Sequence, residues 1–209
     1  MNPAGGPAPR LVLATHNKGK LRELRELLRG QVPGLDVDTQ VVDAAAAGAP
    51  DVVETGVTFA ENSLLKARAV AEATGLAVDV MGGAPGIFSA RWAGTHGDDA
   101  ANLRLLLSQL SDVPDIHRGA AFVCAAALAV PDTDGRAGHE VVEYGQLEGV
   151  LLREPRGSGG FGYDPVLQPA GEDRSCAELS AEEKNAISHR GKAFRALLPS
   201  IVAALEAAG

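Results

Sequence analysis

Apolar and polar positions along this chain follow two periods, and the changes between them set out its elements. Leu11 to Ala14 is a short unbroken apolar run, which predicts a strand buried on both faces, and Leu21, Leu24, Leu27 and Leu28 then recur at the spacing of one helical face. Gly30 to Thr55 is less periodic: Leu35, Val37, Val41 and Val42 predict an outer strand, and Ala44 to Pro50 a loop that leads to Glu54. Thr58 to Thr74 predicts a helix. Thr58 and Glu61 have the spacing of a capping box, Asn62 and Lys66 share a face, and Gly75 stands at a C-cap position.

Leu76 to Met81 precedes a turn-rich Gly82-Gly83-Ala84-Pro85-Gly86, after which Asp98 or Asp99 caps a predicted helix with Leu103, Leu106, Leu107 and Leu110 as its buried stripe. From Arg118 the period changes. Ala120 to Val130 predicts a central strand, Pro131 onward a turn, Glu140 to Leu147 the returning strand, and Gly149 to Leu152 another. A glycine-rich loop from Arg153 to Asp164 runs into a short strand at Pro165 to Gln168. Ser180 and Glu183 form a second capping box, opening a helical pair split near Ser188 to Gly191, with Leu197, Ile201, Ala204 and Leu205 facing inward.

With 209 residues, 45% of them hydrophobic and 22% charged, the chain is an ordinary globular one, expected to fold as one elaborated domain over 10–209. Residues 1–9 are a Pro/Gly-rich tail expected to fray. The net charge of −8 argues against a protein that coats nucleic acid; a polyanion handled by this chain must meet cations gathered in one pocket. No apolar run is long enough to span a bilayer and no cleavable leader is evident, so the expected location is the cytoplasm, without nucleic acid or membrane as partner. Cys124 and Cys176 are far apart and read as reduced structural thiols.

Three polar clusters lie at element ends, where α/β proteins place ligands. The turn from Thr15 to Lys20 falls between a strand and a helix, where free backbone N–H groups and the helix dipole attract anions, and Lys18 and Lys20 add charge. The others are Phe161-Gly162-Tyr163-Asp164, and Lys184 with Ser188-His189-Arg190. Each has an ordinary reading: a βα loop with solvated lysines, a glycine loop without the flanking elements of a dinucleotide site, and an arginine that decorates a helix terminus. His96, His117 and His139 have no partners at ligand spacing and read as surface residues. Trp92 reads as core or interface.

Taken together the motifs resemble the inosine triphosphate pyrophosphatases, the Ham1-like dITP/XTP pyrophosphatases, from Leu11 to about Leu205. They are Thr15-x-Asn17-x-x-Lys20; Glu54-Thr55-Gly56-x-Thr58-Phe59 with Asn62 and Lys66; Gly82 to Gly86 with Ser89-Ala90-Arg91; Gly159 to Pro165; and Glu183 to Gly191. The resemblance implies an elongated mixed β-sheet flanked by helices, two lobes with a central cleft, and a homodimer. The implied activity is Mg²⁺-dependent hydrolysis of XTP, dITP and ITP to the monophosphate and pyrophosphate. It places triphosphate contacts on Thr15, His16, Asn17, Lys18, Gly19, Lys20 and Lys66, with Lys20 also in the catalytic set. Metal binding falls near Glu54, and base recognition on Phe161, Gly162, Tyr163, Asp164, Lys184, His189 and Arg190. A Maf-like nucleotide pyrophosphatase is disfavoured by the Ser-His-Arg and Phe-Gly-Tyr-Asp segments.

In one place the chain departs from that family. Members carry a strand ending in Ala-Asp-Asp-Ser-Gly-Leu before the Gly-Gly-Ala-Pro-Gly turn, whereas here Gly75-Leu76 runs straight into Ala77-Val78-Asp79. The missing piece is about six to ten residues, one strand and a turn, and it holds the family's catalytic base and metal ligand. Two readings follow. Either the chain is a nucleotide-binding protein that has lost its reaction, or Asp79 stands in as base and metal ligand beside Glu54, if Leu76 to Met81 slides into the vacant strand position.

Overall fold

The structure is a computed structural model that describes residues 10–14, 18–48, 55–66, 70–132 and 138–207. A six-stranded mixed sheet carries the fold, in the order β2-β1-β3-β4-β5-β6. The strands are β1 (Leu11–Leu13), β2 (Val41–Asp43), β3 (Val70–Val78), β4 (Gly119–Val130), β5 (His139–Leu151) and β6 (Leu167–Pro169). β1 pairs in parallel with β2 and β3, while β6 is antiparallel to β5. The helices are α1 (Lys18–Leu28), α2 (Val37–Gln40), α3 (Phe59–Lys66), α4 (Asp99–Gln109), α5 (Ala181–Ile187) and α6 (His189–Ala207). The expected α/β class and mixed sheet are present.

The chain divides into two compact units whose boundaries fall inside β3, β4 and β5. Unit 1 comprises Met1–Ala73, Ala125–Tyr144 and Ala193–Gly209. Leu24 and Leu28 of α1, and Leu197 and Ile201 of α6, are fully buried within it, as their helical spacing predicts. Unit 2 comprises Thr74–Cys124 and Gly145–Lys192, with a core of Leu76, Val78, Leu106, Leu110, Phe122, Leu147, Leu151 and Val166. Arg118 is buried in unit 2 and donates to the carbonyls of Leu110, Leu151 and Leu152 at 2.7, 2.8 and 2.9 Å.

Several sequence expectations shift. The outer strand is shorter than Leu35 to Val42, because Asp36 accepts from the Asp38 N–H and caps the four-residue α2, which leaves only Val41–Asp43 for pairing. β5 is one continuous strand where two were expected, and β6 begins two residues late. The large correction concerns the Thr58 helix. Its start is as read: Glu61 N–H donates to the Thr58 hydroxyl at 3.1 Å and Glu61 receives the Thr58 N–H at 3.0 Å. α3 nevertheless ends by Lys66, and Val70 to Thr74, expected as helix, belong to β3, with Gly75 inside the strand.

The physical reason is the vacant position in the sheet. Between β1 and β4 a strand has a neighbour on both edges, and the first four side chains of β3 are buried: Val70, Ala71, Glu72 and Ala73 are at most 5% exposed. Helix propensity distinguishes ordinary residues by only about 0–0.7 kcal/mol each. Backbone pairing, such as Ala14 N–H to the Val70 carbonyl at 2.7 Å, together with burial of four consecutive side chains, outweighs it. The strand position is thus filled by Val70–Val78; of the expected Leu76 to Met81, Leu76 to Val78 lie in this strand and Asp79–Met81 form a 3₁₀ turn beyond its end.

Candidate active site

Within unit 2 the Phe161 to Asp164 turn is built around one carboxylate. Asp164 is 3% exposed, and its Oδ2 accepts from the Phe161 N–H at 2.8 Å and from Lys184 Nζ at 2.5 Å. Gly160, at φ +72°, lies so close to that carboxylate that a Cβ there would stand 2.0 Å from Oδ2, so only glycine fits. Asp99, at the start of α4, accepts from the Gly162 N–H at 2.9 Å. Phe161 remains largely exposed, with the Lys184 ammonium 5.3 Å from its ring centroid. A solvent-accessible aromatic face held beside an anchored lysine is a platform on which a flat heterocycle can stack.

Lys184 lies on α5, whose start is the capping box expected from Ser180 and Glu183. The helical pair breaks at Ser188, whose buried hydroxyl accepts from the Gly191 N–H at 2.9 Å. His189 is buried with its ring 5.2 Å from Phe122, while Arg190 is half-buried. The break bears on the ordinary reading of Arg190 as a helix-terminus decoration. At the end of a helix the macrodipole favours an arginine, but here Arg190 sits in the first turn of α6, where the dipole opposes it.

In unit 1, Lys18 and Gly19 open α1 and Lys20 follows; Thr15, His16 and Asn17 lie outside the described residues, as does Glu54. Lys20 Nζ forms an ion pair with the carboxylate of Glu72 on β3. Asn62 is buried and accepts from the Gly56 N–H at 2.8 Å, which ties the start of α3 to the segment that precedes it. Asp79 is exposed in unit 2, with its carboxylate against Gly119. Among the described residues no group of three acidic, histidine or cysteine side chains can hold a metal ion. The described residues alone therefore do not make a Mg²⁺ site around Asp79.

Sequence reading missed Glu72 because a helical assignment made it one more surface acid. The signal was present in a different form: Glu72 is a lone charge inside Ala69-Val-Ala-Glu-Ala, an apolar run that also suits a buried strand. His96, His117 and His139 are exposed as expected, Cys124 and Cys176 are buried and free, and Trp92 packs at the edge of the unit 2 core. Burial pushes the Cys176 thiol up to about 12, which keeps it protonated and inert.

The profile of the Ham1 family matches residues 11–200. This chain belongs to the Ham1 family. It is 63% identical over 201 residues to a dITP/XTP pyrophosphatase of Streptomyces coelicolor, covering 92% of this chain and 96% of that protein. A dITP/XTP pyrophosphatase of Mycobacterium tuberculosis is 50% identical over 201 residues, with 92% and 95% covered. The crystal structure of the nucleoside-triphosphatase, or dITP/XTP pyrophosphatase, from Mycobacterium abscessus matches with a TM-score of 0.73 at 47% identity, covering 90% of this chain and 98% of that one. The Ham1 protein of Staphylococcus aureus matches with a TM-score of 0.78 at 33% identity, with 93% and 98% covered.

Proposed function

We propose that this chain is a nucleoside triphosphate pyrophosphatase that hydrolyses XTP, dITP and ITP to the monophosphate and pyrophosphate and so clears non-standard purines from the nucleotide pool. The observation that carries the reading is the Lys184 to Asp164 pair. It brings the Phe161 turn to the α5–α6 segment that bears His189 and Arg190, and these supply an aromatic face and hydrogen-bond donors in one unit. A 6-keto purine accepts where the amino group of adenine donates. Donors at Arg190 and His189 therefore favour hypoxanthine and xanthine, because adenine would leave them unpaired.

The phosphates fall to the turn from Thr15 to Lys20 and to Lys66, cations and N–H groups that spread charge over the phosphate oxygens as water attacks. Glu54 would hold Mg²⁺, which would offset the negative charge of the triphosphate. A homodimer in a reducing cytoplasm is the proposed working form, and sedimentation at equilibrium tests the assembly.

Pyrophosphate release from ITP with Mg²⁺, measured beside ITP binding, tests the function. Turnover supports it. Binding without turnover identifies instead a nucleotide-binding protein that kept the pocket and lost the reaction.

A further inference from the structure

We propose that Glu72 is the residue that takes the proton from the attacking water in this chain. The inference rests on the assignment of Lys20 to the phosphates. Glu72 sits on β3 with its side chain 2% exposed, and it is the buried acid of unit 1 among the described residues. A carboxylate inside a sheet is costly unless it is paired, and a well-packed apolar residue would usually serve stability as well or better. Its presence in the run Val70 to Ala73, otherwise wholly apolar, therefore points to chemistry rather than packing.

The partner narrows that chemistry. Lys20 is on α1, the helix that follows the phosphate turn, and its side chain keeps 21% exposure, so an incoming anion can reach it. Two oxygens that share one ammonium, each about 2.8 Å from the nitrogen, lie roughly 4.5–5.5 Å apart, a gap that one water molecule spans. A phosphate held by Lys20 is then separated from the Glu72 carboxylate by the position of a nucleophile. Among the described residues Asp79 has no such neighbour: it is exposed, beyond the end of β3, against Gly119.

In the step, the water oxygen forms a bond to the α-phosphorus and its proton passes to Glu72. The bond from that phosphorus to the bridging oxygen breaks, and its electron pair leaves with pyrophosphate. Glu72 then returns the proton to solvent. Lys20 balances the charge that gathers on the phosphate oxygens.

Glu72→Gln and Glu72→Asp in the full chain test this by two readouts: calorimetric titration with inorganic pyrophosphate, and pyrophosphate release from ITP. Glu72→Gln removes a negative charge beside the anion, so pyrophosphate binds at least as tightly as to the wild type while turnover falls by about 100-fold or more. Glu72→Asp keeps binding and retains measurable turnover, and it is the deciding variant if the glutamine form does not fold. Wild-type turnover in Glu72→Gln overturns the proposal. So does joint loss of binding and turnover, which would leave Glu72 only aiming Lys20, and so does a wild-type chain that binds ITP without hydrolysing it. A wild-type chain that turns over ITP but binds no pyrophosphate, with Lys20→Met unchanged in KM, removes Lys20 from the phosphates and Glu72 from the reaction while leaving the pyrophosphatase reading in place.

Discussion

The Tyr163 hydroxyl donates to the backbone carbonyl of Ser89 at 2.9 Å, and the hydroxyl of the same serine accepts from the Leu76 N–H at 2.8 Å. The Phe161 to Asp164 turn is thereby joined through one buried serine to the end of β3 and to the Gly86–Arg91 turn. Burial raises the Tyr163 phenol well above its ordinary range, so it stays a donor at every working pH. Tyr163→Phe removes only the donor and is expected to destabilise the chain by about 1 kcal/mol in urea unfolding, with ITP affinity unchanged.

Lys184 and Asp164 form a second lysine–carboxylate pair, with side chains 20% and 4% exposed. Removing the cation leaves the carboxylate buried, so Lys184→Met is expected to cost about 3 kcal/mol. Lys184→Met with Asp164→Asn should recover part of that loss. A double-mutant cycle measured by denaturant unfolding gives the coupling, and additivity of the two changes would show that the pair is not a unit.

Among the described residues Arg118 has no carboxylate partner in its hydrogen-bond set; its three donor contacts go to carbonyls, and burial lowers its pKa. Arg118→Met deprives three acceptors of a charged donor, and a loss of about 3 kcal/mol or more is expected from urea unfolding. Arg118→Lys, a point charge without the planar fork, should recover less than half.

Arg190→Ala is expected to weaken ITP binding by about 1–3 kcal/mol, the value of a charged hydrogen bond left unmade, as read by calorimetric titration. An unchanged dissociation constant would take Arg190 out of the pocket.

At the start of α5, the Arg174 guanidinium and then the Ser180 N–H hold the Glu183 carboxyl down to about 2. A lowered folded pKa contributes stability above the unfolded value and loses it as pH falls through the folded one. The contribution should therefore fade between about pH 4.5 and pH 2. Carboxyl NMR titration is expected to show Glu183 in that range, and Arg174→Ala should move its midpoint up toward the ordinary glutamate value.

What the sequence determined by itself was whatever rests on local physics. Two capping boxes lie where Thr58 with Glu61 and Ser180 with Glu183 put them, because a cap needs only residues three apart. The strand at Leu11, the α4 stripe and the inward face of α6 follow from periodicity alone, and the ordered motifs named the family. The identity of Val70 to Gly75 was decided only by tertiary structure. Read locally, the segment continues a helix; placed between β1 and β4, it fills a strand position that must be paired on both edges. That exchange turned Glu72 from a surface acid into a buried carboxylate beside Lys20. The partners of Asp164, Tyr163 and Arg118 were equally beyond the sequence, because each joins elements far apart in the chain and no short-range pattern encodes such a meeting.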